Sequence, residues 1–112
     1  DLNLAMATLG RWRAACARAD EARAAADLTV ASDPANVFAP DTLAFTVGEQ
    51  AQCRLLSGDA AGAVARFREQ QDLRDRMALR FPDDMDLRYQ RSIARGHLAR
   101  ALSAQGAHAS CS

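Results

Sequence analysis

Alanine, leucine and phenylalanine recur along the chain at the 3.6-residue period of a helix, and arginine, glutamate and glutamine fill the intervals. These are among the strongest helix formers, and the pattern is amphipathic. Breakers are sparse: Pro34, Pro40 and Pro82, with Gly10, Gly48, Gly58, Gly62, Gly96 and Gly106. Taken with the periodicity, they predict five helices. The first spans about Leu2 to Leu9, and the second about Trp12 to Ala31, closed by "SDP". A third follows Pro40, with Asp41 or Thr42 as N-cap, and ends near Ser57 before "GD". The fourth spans about Ala60 to Arg80, and the fifth about Asp84 to Ala104, stopped by Gly106. Only "LTV" and "FTV" have β-branched character, and both are too short to make a strand.

Comparing the chain with itself adds a larger period. Pro34 and Pro82 are 48 positions apart, as are Gly10 and Gly58, Gly58 and Gly106, and Gly48 and Gly96. Ala15 and Ala63, Ala17 and Ala65, Arg18 and Arg66, Glu21 and Glu69, and Ala51 and Ala99 keep the same offset. Alanine matches come easily in so alanine-rich a chain, so the rarer glycines and prolines carry the inference of a repeat.

In that register the residues resemble the tetratricopeptide repeat (TPR), a helix-turn-helix unit that stacks into a superhelix. Leu98, Ala99, Leu102 and Gly106 match the first half of its pattern in the last unit. Ala51, "SGD" at Ser57 to Asp59, Ala63 and Phe67 match in the middle unit, with Pro82 downstream; Leu2, Met6, Gly10, Ala15, Ala19 and Ala22 match in the opening one, followed by Pro34. The period exceeds the family's usual one of about 34 residues, which implies longer helices, as in extended repeats of bacterial multidomain signalling proteins. Arg54 stands where the family has a large apolar residue, and Leu55 and Leu56 are displaced to the next positions.

The expectation is therefore an all-α fold of antiparallel helix-turn-helix repeats, stacked as a short right-handed TPR-like solenoid of about five helices. One domain would cover residues 1–112: a partial unit at 1–34, a full unit at 35–82, and a partial unit with a polar capping helix at 83–112. Opening on Asp1 and not on methionine, the chain reads as a piece of a longer one.

Composition narrows the function class. The chain has 14 basic and 14 acidic side chains, interspersed, and every base is an arginine. A nucleic-acid or membrane-surface protein would show a basic stripe, so neither partner is expected. Cys16, Cys53 and Cys111 are odd in number, widely spaced and without a C-x-x-C, and they read as reduced thiols of a cytoplasmic protein. There is no signal-like opening segment and no apolar run of membrane-spanning length.

Candidate chemistry is weak throughout. In "LRFPDDMDLRYQRS", Asp83, Asp84 and Asp86 invite a metal reading, but no glycine-containing ligand loop surrounds them. A joint explains them better, with Pro82 ending one helix, Asp83 or Asp84 capping the next, and Asp86 favoured by its dipole. Arg88, Arg91 and Arg95, and Arg74, Arg76 and Arg80, form two clusters that a partner's carboxylates could use. The plainer reading is a solvated face pairing with Glu69, Asp72 or Asp75. His97, His108 and Cys111 supply neither four zinc ligands nor an oriented nucleophile, and no catalytic motif occurs. Trp12 reads as a packing residue against the first segment. No enzyme activity, cofactor or metal is expected.

The TPR resemblance implies a protein-interaction scaffold whose concave surface receives a peptide or partner domain. It places Phe45, Gly48, Gln52, Leu55 and Leu56 of one unit, and Ile93, Gly96, Arg100 and Ser103 of the next, at ligand-facing positions. The residues that clamp a terminal carboxylate in chaperone-binding members are missing apart from Arg100, so a chaperone C-terminus is not the expected ligand. Two other roles fit the same sequence: a C-terminal regulatory region of a bacterial signalling enzyme such as a serine/threonine kinase, and a self-associating structural module.

Overall fold

A computed structural model describes residues 2–111, with side chains described for residues 3, 4 and 6–106. These residues form four α-helices with no strand among them: α1 (Leu2–Ser32), α2 (Ala39–Leu56), α3 (Ala60–Arg80) and α4 (Met85–Cys111). Four helices replace the expected five because Gly10 does not break the first. It lies within α1 with open space around its Cα. Glycine costs a helix only about 1 kcal/mol relative to alanine, which alanine-rich flanks on both sides offset. Gly106 likewise lies inside α4, which runs on past the expected stop.

The remaining boundaries follow local chemistry. Pro40 sits inside the first turn of α2, where a missing N–H costs no hydrogen bond. Neither Asp41 nor Thr42 is therefore the expected cap; both lie inside the helix, and the Asp41 carboxylate pairs with Arg74 of α3. Before it, the Asn36 Oδ1 accepts the Phe38 N–H at 3.0 Å and shapes the turn. Between α2 and α3 the chain reverses at Gly58, whose φ of +93° disfavours any side chain. Asp59 then caps α3 by accepting the Gly62 N–H at 2.9 Å. In the α3–α4 connection, the Asp84 carboxylate accepts the Leu87 N–H at 3.2 Å, and Asp86 occupies the first turn of α4. The paired acids are a helix start there.

Each helix packs antiparallel on its neighbour in the chain, and the molecule measures 50 × 29 × 18 Å. Two apolar clusters hold it together. Ala51, Ala63, Val64, Phe67 and Ala101 join α2, α3 and α4, with Leu55 and Leu98 against them. Ala26, Leu43 and Val47 join α1 to α2, with Val30 and Leu73 alongside. Small residues let the backbones approach: Ala51, Ala63 and Ala101 are completely buried. Of the 48-residue pairs, Pro34 and Pro82 both lie in interhelical connections, whereas Gly58 is in a turn and Gly10 and Gly106 are in helices. The glycine spacing thus does not mark equivalent joints.

The cysteine reading is overturned. Cys16 and Cys53 form a disulfide between α1 and α2, with their Cα atoms 5.5 Å apart. A helix hairpin makes neighbours of residues 37 positions apart, a proximity that sequence spacing cannot reveal. Cys111 lies outside the described side chains, as does His108. Trp12 is half-buried one turn before Cys16, within the same continuous helix that was expected to be two.

Polar groups stitch three helices together beside this bond. Arg23 donates to both Glu69 oxygens, at 2.7 Å to Oε1, and at 3.3 Å to Gln50 Oε1, while Gln50 Nε2 donates to Asp20 at 2.8 Å. The hydrogen bonds that Arg23 donates to Glu69 outweigh partial burial and hold its guanidinium above its ordinary pKa.

Candidate functional site

An open groove of about 540 Å³ lies across α3, with α2 as one wall and α4 as the other. Its placement follows from the packing, since α2 and α4 both lean on α3 and leave its central face between them. Phe67 forms the floor at 1% exposure. It stands in an α3 stripe at helical spacing, Ala63, Phe67, Gln70, Arg74 and Ala78, all buried. Two members of that stripe are polar, and both line the groove.

Gln70 is 7% exposed; its Nε2 donates to the Ala44 carbonyl of α2 at 3.1 Å. Gly48 permits this, because a methyl group on it would overlap the Gln70 amide. The Gln70 Oε1 is buried and accepts no hydrogen bond from any protein group. Arg74 is buried and its charge is met by Asp41, so the expected solvated arginine face does not include it. Of the other clustered bases, Arg76, Arg80 and Arg88 are exposed as expected and Arg95 lies 3.8 Å from Asp75, whereas Arg91 is half-buried with its Nε unpartnered.

On the α4 wall, His97 tilts against Phe67 with ring centroids 5.5 Å apart. Burial, with Arg100 as a secondary cause, holds its pKa below the ordinary value of 6.5, and its Nδ1 is buried without a partner. The imidazole is thus neutral at pH 7. A folded-state pKa below the unfolded one means that the unfolded chain takes up the proton first. The His97 contribution is therefore fully present above about pH 7 and is lost as the pH falls below 6.5. Urea unfolding of wild type and His97→Gln between pH 7.5 and 5 checks this: the wild type is expected to lose more stability on acidification. Parallel curves would rule His97 out as the cause.

The groove gathers five of the residues expected to face a ligand: Phe45, Gln52 and Leu55 from α2, and Ile93 and Arg100 from α4. Gly48 lines it too, whereas Leu56 and Ser103 are exposed outside it, as is Gly96. Phe45 stands at the lip, 60% exposed. The sequence reading missed Gln70, Glu49 and Gln90, and it weighed Arg74 and His97 only for other chemistry, without placing them in this groove. Gln70 and Arg74 had a signal for this placement, since they fall in register with Ala63 and Phe67.

Chemically, the site offers an apolar floor and lip, a neutral imidazole and a guanidinium at one end. Among the described residues no group of three or more His, Cys, Asp or Glu could hold a metal ion, and no helix is long and apolar enough to cross a membrane. Comparison with protein-family models, with curated proteins and with solved structures gave no match.

Proposed function

We propose that this domain is a non-catalytic protein-interaction module that receives a peptide or partner segment in the α2–α3–α4 groove. The observation that carries the reading is the open groove itself, floored by Phe67 and edged by the exposed Phe45, with Gln52, Leu55, Ile93 and Arg100 on its walls. Phe45, Leu55 and Ile93 would cover apolar side chains of the partner, and Arg100 would meet a carboxylate. The TPR-like register supports the same surface, as α2 and α4 are the helices on which the resemblance places ligand-facing residues.

The Cys16–Cys53 bond favours an oxidising compartment over the cytoplasm, where such bonds are rare. A second role, self-association, draws support from α1, which leaves Leu4 and Met6 exposed near its start. A strict monomer by light scattering at high concentration would count against it.

The groove reading is tested by replacing Gln52, Leu55 and Arg100 together by alanine and comparing affinity capture from the native host. Partners retained by wild type are expected to fall at least tenfold on the triple variant. Equal retention would put the contact surface elsewhere.

A further inference from the structure

A second concavity of about 250 Å³ lies where the end of α1 and the start of α2 meet the end of α3. Val30, Val37, Pro40, Leu43, Leu73 and Met77 line it, Phe81 closes one side, and Arg76 and Arg80 stand at its mouth. It shares no residue with the groove between α2 and α4. Around it the molecule exposes Leu28 and Phe38, the latter 77% accessible.

The two arginines decide what fits. Among the described residues neither forms an ion pair; Arg80 lies 5.3 Å from the Phe81 ring, and Asp75, next to Arg76, faces Arg95 instead. Two uncompensated guanidinium groups over an apolar hollow call for an anion joined to an apolar group, because Arg binds carboxylates bidentately. The hollow is smaller than the roughly 300–1,000 Å³ that encloses a drug-sized ligand, so it suits a single anchoring side chain of a larger partner. Asp33, Asp83 and Asp84 stand exposed in the connections at this same end but do not line the hollow, so the contact with an anion is confined to its mouth, which suits a narrow acidic segment and not a broad anionic bilayer.

We infer that this hollow docks an acidic protein segment, one bulky apolar side chain entering between Val30, Leu43 and Met77 while flanking carboxylates meet Arg76 and Arg80. The site is separate from the groove, so one partner could engage both, or two partners one each.

Fluorescence anisotropy tests this with labelled peptides in which one leucine or phenylalanine is flanked by glutamates, by lysines or by serines. The glutamate series is expected to bind at least tenfold tighter than the lysine series, and to weaken with salt. Arg76→Gln with Arg80→Gln should erase that preference, with an unchanged melting curve showing an intact fold, since both side chains are exposed. Val37→Asp should weaken the glutamate series alone. The Gln52, Leu55 and Arg100 triple variant should leave this binding unchanged, so that the two sites fail or stand separately. Equal binding of the three series, no binding, indifference to the arginine replacements, or co-sedimentation with phosphatidylserine vesicles in place of peptide binding would each overturn the proposal.

Discussion

Phe67→Ala is expected to destabilise the domain by about 3–5 kcal/mol, among the largest losses a single core truncation produces. Phe67 is 1% exposed and belongs to the cluster that joins α2, α3 and α4, so its ring is the common contact of three helices. The lower end of the range is the better expectation. The space left behind opens into the groove above it, where water can enter, and the penalty for a dry cavity is reduced while the lost transfer energy remains. Phe45→Ala is the matched control: the same side chain is removed from a position that is 60% exposed, and less than about 1 kcal/mol should be lost. Urea denaturation of both variants measures this, with unchanged slopes showing that compactness is unaffected. Equal losses would contradict the assignment of Phe67 to the core and Phe45 to the lip.

Breaking the Cys16–Cys53 bond is the second large effect. The bond closes a loop of 37 positions, for which the loss of chain entropy in the unfolded state amounts to about 4 kcal/mol, within a usual range of about 2–4. For a domain of this size that is a fall of roughly 15–20 °C in melting temperature. Reduction and the Cys16→Ala, Cys53→Ala double variant should agree. Hydrogen exchange should then show α1 losing protection upstream of Ala15 before the rest, because its apolar anchors, Ala26 and Val30, lie toward the other end. A melting point indifferent to reductant would mean that no such bond holds α1 to α2.

Much of the architecture could be read from the pattern of the chain. The span Ala60 to Arg80 emerges as α3 with the boundaries expected of it, since Gly58 and Pro82 bracket it and Asp59 supplies a cap. Gly10 and Gly106 misled because a glycine breaks a helix only where the chain needs a left-handed turn, and among the glycines only Gly58 is in that conformation. Phe45, Gln52, Leu55, Ile93 and Arg100, which the TPR resemblance puts at ligand-facing positions on two helices, all line the groove. Leu56, one position on from Leu55, turns about 100° away from it on a helix and leaves the groove.

What escaped the sequence reading was contact between distant positions. Cys16 meets Cys53, Arg74 meets Asp41, and Arg23 meets Glu69 only once the hairpins close. Composition rules assign an arginine or glutamine to the solvent, and here Arg74 and Gln70 are buried because each finds a partner on α2. Helical periodicity held the better clue, placing both in the stripe of Phe67.

We propose the α2–α3–α4 groove as the place where a partner segment docks. Site-specific photo-crosslinking in the native host tests it most directly, with a benzoyl-phenylalanine placed at Phe45, Gln52 or Ile93 and, for comparison, at the exposed α1 positions Arg18 or Glu21. A discrete adduct of the same mass shift from the three groove positions, and none from α1, is the predicted result. Adducts from α1 with none from the groove would contradict the account.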